Sequence, residues 1–215
     1  MRNKKREKLL YLTQMALLIA VTVLLAVTPL GYIPVNPLLT LVIIQIPAII
    51  AGITLGPEGG YGVGLAFGIT SFLRAPIESA FTIAIFQDNI FWTFIICVAP
   101  RLFIGLVAAG VFRLLKKLPK TLAYGIAGAA GSLANTLFFL GALFLVYSFR
   151  DISNSALGAF LSEIGTTINA VIIGTATTNG LIEAAVCFVA VAAICKGLEA
   201  AKLIKWKKRY SNYLK

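Results

Sequence analysis

The stretch that decides the fold class is IFWTFIICVAPRLFIGLVAAGVFRLL, residues 90–115, an apolar run with a full charge, Arg101, near its middle. It contains no other charged residue before Arg113. A transmembrane helix needs about 20 apolar residues, and an arginine near its centre costs several kcal/mol unless it faces a partner, a cavity or a ligand. Arg101 is therefore expected to be retained for structure or for function, and a ligand that it served would be an anion.

The composition of the whole chain predicts a membrane protein with several helices of this kind. Of its 215 residues, 59% are hydrophobic and only 13% are charged, which is too apolar for a soluble domain. We expect an all-α membrane protein that forms a single integral membrane domain over residues 1–215. The apolar stretches predict six transmembrane helices, at roughly 9–30, 38–55, 60–73, 90–115, 122–147 and 169–195.

The basic residues indicate how these helices are oriented. Of the 19 Lys and Arg residues, sixteen fall in the N-terminal tail, in the loop after the fourth helix or at the C-terminus. Because cytoplasmic loops carry an excess of Lys and Arg, both termini are predicted to be cytoplasmic, in a multi-pass protein of a plasma membrane. The net charge of +11 thus reflects topology in a lipid bilayer and not nucleic-acid binding. The longer outer loops suggest a lid over a site that opens outward.

Helix geometry places four polar side chains at a similar depth. With a rise of about 1.5 Å per residue, Arg101, Asn135, Asn179 and Gln45 lie on four helices in the outer half of the membrane or near its midplane. Buried polar groups need partners, so these side chains either satisfy one another or line a ligand cavity. Glu183 shares a helix face with Asn179 and is a rival partner for Arg101, as a structural ion pair.

Motifs for catalysis and for metal or nucleotide binding are missing. The chain has no histidine and no G-x-x-x-x-G-K-[ST], H-E-x-x-H or G-x-S-x-G motif. Its three cysteines lie in apolar runs without metal-ligand spacing and are interpreted as packing residues. We therefore expect no enzyme, no cofactor and no metal site, and a pump of this kind would need a partner ATPase.

Three stretches carry a resemblance to a known family: IQIPAIIAGITLGPEGGYGVGLAFGITSFL (44–73), VAPRLFIGLVAAGVF (98–112) and GSLANTLFFLGALFL (131–145). On these, the chain resembles the substrate-binding S component of energy-coupling factor (ECF) vitamin transporters, a prokaryotic group, and within it the pantothenate type. The Leu-Gly-Pro turn at 55–57 recurs across such S components. The P-R-x-x-x-G and N-T strings, at 100–105 and 135–136, are more specific to the pantothenate type.

The resemblance implies a transport mechanism and a set of partners. An S component binds its vitamin from outside and associates with a transmembrane coupling subunit and two cytoplasmic ATPases. It then reorients in the membrane and releases the substrate inside. Ala16 and Ala20 match the A-x-x-x-A face of the family's first helix, which docks on the coupling subunit.

Pantothenate suits the polar layer described above, because it carries a carboxylate, hydroxyl groups and an amide. An arginine can hold a carboxylate through two parallel hydrogen bonds, so Arg101 is expected to anchor the ligand. Asparagine and glutamine suit the hydroxyls and the amide. The other candidate substrate-binding residues are Asn135, Asn179 and Gln45 in the helices and Asn36 and Arg74 in the outer loops.

Two alternative functions stay open at this point. The first is an S component for another water-soluble vitamin or precursor. A stand-alone secondary transporter would instead need an ion-coupling residue, for which Glu183 is the only good intramembrane carboxylate.

Overall fold

A computed structural model describes residues 2–34, 40–148, 150 and 152–203. These residues form nine α-helices and a two-stranded antiparallel sheet, in which Ile33 pairs with Leu41. The strands are β1 (Tyr32–Pro34) and β2 (Thr40–Val42). The helices are α1 (Arg2–Val27), α2 (Ile46–Leu55), α3 (Pro57–Arg74), α4 (Ala80–Asp88), α5 (Ile90–Leu114), α6 (Lys120–Tyr147), α7 (Ala156–Glu163), α8 (Ile168–Thr177) and α9 (Asn179–Ala200).

This architecture agrees with an all-α membrane protein. Within the described ranges, four helical segments are long and apolar enough to cross a membrane: Lys5–Val27, Ile90–Leu114, Lys120–Tyr147 and Ile168–Ala200. The other two predicted membrane helices correspond to the shorter α2 and α3. The count of six transmembrane helices, the single domain and the cytoplasmic position of both termini therefore stay predictions.

The second and sixth predicted helices differ from expectation in their boundaries. Residues 38–55 were expected as one helix, but Thr40–Val42 is a strand and α2 begins only at Ile46. A short apolar run with β-branched residues does not distinguish strand from helix by its periodicity, and Pro47 in the first turn favours a helix start there. The sixth helix is a pair, α8 and α9, that meet at Thr178.

Two short helices cover one end of the bundle. We call this end, which carries the sheet, α4 and α7, the loop end. The side chains of Ser79 and Ser155 cap α4 and α7 by accepting hydrogen bonds from backbone N–H groups. Phe81 on α4 and Leu157 and Leu161 on α7 are buried in a cluster with the facing parts of α5 and α6. The apolar stretches of the outer loops thus fold back onto the protein, as expected.

Glycines on α3 allow α5 to pack against it backbone to backbone. A Cβ atom at Gly68 would lie 2.9 Å from Val98 Cα, and one at Gly64 would overlap the carbonyl oxygen of Arg101. Gly60, one turn earlier, makes a similar approach to α5. Small residues at four-residue spacing permit such contacts between membrane helices. This glycine face fixes the position of α5, and with it the depth of Arg101.

Candidate functional site

A cavity opens at the loop end, between β2, α9 and helices α3 to α6. Its volume is about 720 Å³, part of which is open to solvent. Three of the polar side chains predicted from the sequence, Arg101, Asn135 and Asn179, are among its lining residues. Convergent polar groups in a concave space are typical of small-molecule sites. The cavity is therefore the candidate functional site.

Arg101 is the cation of the cavity wall on α5 and is 5% exposed. Its Nη1 donates a hydrogen bond of 2.7 Å to the carbonyl oxygen of Ile96, which lacks a helical partner because residue 100 is proline. The guanidinium carbon lies 4.6 Å from the ring centroid of Phe139 and 5.5 Å from that of Phe67, within cation–π range. Its Nε has no hydrogen-bond partner among the described residues. Arg101 is thus desolvated but retains donors for a ligand.

Glu183 accepts hydrogen bonds from β2, from Asn179 and from Gln45, the residue just before α2, and does not pair with Arg101. Its Oε1 accepts hydrogen bonds from Val42 N at 2.8 Å and from Asn179 Nδ2 at 3.2 Å, and its Oε2 accepts one from Gln45 Nε2 at 3.1 Å. Arg101 and Glu183, both within the described ranges, form no ion pair. The structural ion pair considered from the sequence is therefore not formed, and Arg101 faces the cavity.

The three amide side chains of the polar layer occupy different positions. Asn179 lines the cavity and donates to the carbonyl oxygen of Thr40 at 2.9 Å, which fixes β2 on α9. Asn135 also lines the cavity, and its buried Oδ1 has no partner in the described part of the chain. Gln45 lies behind Glu183, outside the cavity lining, and donates to Ser132 Oγ at 3.1 Å. An unpartnered buried acceptor is costly, so Asn135 is the amide best placed to bind a ligand.

Arg74, one of the two candidates from the predicted outer loops, does not line the described cavity. Arg74, at the end of α3, donates from Nη1 to the carbonyl oxygen of Ala26, and its guanidinium carbon lies 4.9 Å from the ring centroid of Tyr32. It thereby joins α1 and β1 to α3, and it is not a lining residue. Asn36 lies outside the described residues.

Sequence reasoning missed Glu78, a half-buried cavity residue in the loop between α3 and α4. Burial raises the pKa of its carboxyl to about 7, an effect that the positive charges of Arg101 and Arg74 oppose. An irregular loop has no periodicity from which the depth of a residue can be derived. The signal available was that this loop, mostly apolar, carries an acid away from its ends.

Ala16 and Ala20 lie on a face of α1 that points away from the rest of the described chain. Both are exposed, whereas Met15 and Ile19 pack against the cluster between α1, α2 and α3. Small residues on an exposed helix face allow another helix to approach closely. The face is therefore suited to helix–helix docking.

Comparisons with known proteins cover the whole of this site. The family model for "ECF transporter, substrate-specific component" matches residues 10–195. The chain is also similar to the pantothenic acid transporter PanT of Lactococcus lactis subsp. cremoris, with 30% identity over 164 residues, or 70% of this chain and 80% of that protein. The family match includes residues 10–27 of α1, with the alanine face, and every described residue that lines the cavity.

Proposed function

Since the chain belongs to the family of ECF transporter substrate-specific components, we propose that it binds pantothenate from outside the cell and imports it with a coupling subunit and two cytoplasmic ATPases. As a member of this family it is a multi-pass transport protein of a prokaryotic plasma membrane and not an enzyme. Family members bind a vitamin and work with an ECF module. Pantothenate as the ligand and the ATPases as partners are the specific elements of the proposal.

The buried guanidinium of Arg101 in the wall of the cavity is the observation that carries the proposal. With Nη1 engaged by Ile96, the edge formed by Nε and Nη2 is available for the two oxygens of a carboxylate. A desolvated arginine suits an anionic ligand, and pantothenate is an anion. A cationic vitamin would instead place a second positive charge against this guanidinium.

The remaining polar groups of pantothenate have partners in the same cavity. Asn135 Oδ1 is an acceptor for a hydroxyl or amide hydrogen, and Asn179 supports the site from α9. Gln45 acts through Glu183, which it holds in place. Arg74 positions α1 and β1 beside the cavity, and Asn36 is proposed as a ligand contact on sequence grounds.

The proposal is tested by titrating the purified protein calorimetrically with pantothenate and with pantothenol, in which an alcohol replaces the carboxylate. The wild type is expected to prefer pantothenate. Charge-assisted hydrogen bonds contribute about 1.5–3 kcal/mol, so Arg101→Ala should weaken pantothenate binding roughly 10- to 100-fold and remove the preference. Arg150→Ala, which changes a more exposed arginine at the same end, is the matched control.

Each outcome of this titration distinguishes between explanations. Unchanged pantothenate affinity in Arg101→Ala would remove Arg101 from the site. If the wild type binds neither compound, pantothenate is the wrong vitamin, and mass spectrometry of the small molecule that co-purifies identifies the alternative. A preference lost equally in Arg150→Ala would show that the arginines act through general electrostatics and not by direct contact.

The stand-alone secondary transporter is less well supported. It would use Glu183 to couple substrate to protons, but this carboxylate already accepts three hydrogen bonds, from Val42, Gln45 and Asn179. Family membership also favours an ECF module. Co-purification with ATPase subunits would support the proposed importer, whereas proton-driven uptake by the lone protein in liposomes would overturn it.

A further inference from the structure

The charged residues that line the cavity include more anions than cations, which is unexpected for a site that binds an anion. Its charged lining residues are one guanidinium, Arg101, and two carboxylates, Glu78 and Glu183. If both carboxylates stay ionised, an anionic ligand adds a third negative charge to a site with a single lining cation. Like charges confined in a desolvated space strongly disfavour ionisation of one of them.

The two carboxylates differ in how firmly they are held as anions. Glu183 accepts three hydrogen bonds from N–H donors, and such bonds favour the charged form. Glu78 accepts no hydrogen bond from any described residue and depends on the charges of Arg101 and Arg74. Glu78 is therefore the carboxylate that a competing anion would neutralise.

Apart from Glu183, the groups around Glu78 do not take up a proton. Burial raises the pKa of the Tyr32 hydroxyl, so this group stays neutral, and the two arginines stay charged. Glu183 faces the same cavity from α9. The titratable and charged groups around Glu78 are Tyr32 on β1, Arg74 on α3, Cys97 and Arg101 on α5 and Glu183 on α9.

We propose that Glu78 takes up a proton when pantothenate occupies the cavity, and that the protonated carboxyl then serves as a hydrogen-bond donor to the ligand. This inference rests on the proposed function. The ligand carboxylate competes for Arg101, which removes the charge that keeps Glu78 ionised. The proton comes from the buffer, an O–H bond forms on a Glu78 oxygen, and this group donates to a carbonyl or hydroxyl oxygen of the bound molecule. The site then selects for ligands that present an acceptor there.

Calorimetry in buffers of different ionisation enthalpy counts the protons directly. Near pH 8, where free Glu78 with a pKa of about 7 is mostly ionised, binding should take up close to one proton per pantothenate. The dissociation constant of the wild type should then rise by about tenfold per pH unit above pH 7. Pantothenate itself is ionised throughout this range, so its titration does not contribute.

Glu78→Gln is the decisive variant, because it mimics the protonated carboxyl with little change in volume. It should bind pantothenate without proton uptake, with an affinity independent of pH, and about tenfold more tightly than the wild type near pH 8. Glu163→Gln, in an exposed position at the end of α7, is the matched control and should keep the wild-type pH dependence.

Two results would overturn the inference. Pantothenate binding by the wild type without proton uptake would refute it and leave the proposed function intact. Proton uptake that persists in Glu78→Gln and disappears in Glu183→Gln would assign the proton to the other carboxylate. Absence of any pantothenate binding would instead remove the proposed function and this inference together. Because the protons are counted on the wild type, this test does not depend on whether any variant folds.

Discussion

Replacing Gly64 by alanine is expected to weaken both the fold and ligand binding, because the added methyl group would meet the backbone of Arg101. A Cβ at residue 64 would lie less than 3.0 Å from the Arg101 carbonyl oxygen, a distance that Cβ atoms essentially never show. Because this oxygen belongs to the backbone, no rotamer change can remove the clash. To reach ordinary contact, α3 and α5 must separate locally by about 1 Å. The shift falls on the residue that carries the guanidinium.

The size of the effect follows from two terms. An extra methyl group in a well-packed interior costs about 1–3 kcal/mol, which should appear as a lower midpoint of thermal unfolding in detergent. A displacement of about 1 Å also stretches charge-assisted hydrogen bonds that contribute about 1.5–3 kcal/mol. We therefore expect pantothenate to bind at least tenfold more weakly.

Gly110→Ala is the matched control, since residue 110 lies on α5 itself and a Cβ there has no neighbour within 4 Å. It should leave the unfolding midpoint and the affinity unchanged. If Gly64→Ala behaves like Gly110→Ala in both measurements, then close packing of α3 on α5 does not position Arg101, and the reasoning is wrong.

Two further experiments test other contacts. Glu183→Gln replaces one acceptor oxygen by an NH₂ donor that faces the N–H groups of Val42, Asn179 and Gln45. Hydrogen exchange of the Val42 amide should therefore accelerate by about tenfold. Unchanged exchange would mean that this carboxylate does not hold β2. Ala16→Trp and Ala20→Trp should abolish co-purification with the coupling subunit while pantothenate affinity is retained. The control Val189→Trp, at an exposed position of α9, should change neither co-purification nor affinity. Normal assembly of both alanine variants would mean that the docking face lies elsewhere.

The parts of the site that lie on regular helices were accessible from the sequence. Depth along a helix follows from residue spacing, and Arg101, Asn135 and Asn179, chosen on that basis, line one cavity. Gln45 was predicted at a similar depth, but depth alone does not say which way a side chain points, and Gln45 lies behind Glu183. The rise per residue gives the position of a residue along the helix axis, but not the direction in which its side chain points.

The parts of the site that lie on irregular segments were not accessible. Glu78 is in a loop whose path depends on how α4 packs, and no local pattern encodes this. The strand at residues 40–42 was assigned to a helix because an apolar, β-branched run fits both states. Its pairing with β1 and its attachment to Glu183 and Asn179 are long-range contacts, which a single sequence does not reveal.

Pro100 leaves Arg101 a hydrogen-bond acceptor on its own helix. By withholding an N–H from the Ile96 carbonyl, the proline leaves an oxygen that the guanidinium occupies one turn away. Because both groups belong to α5, the guanidinium and the carbonyl that solvates it keep their relative position when neighbouring helices move. When no ligand is bound, the Ile96 carbonyl therefore solvates part of the arginine's charge without a contribution from any neighbouring helix.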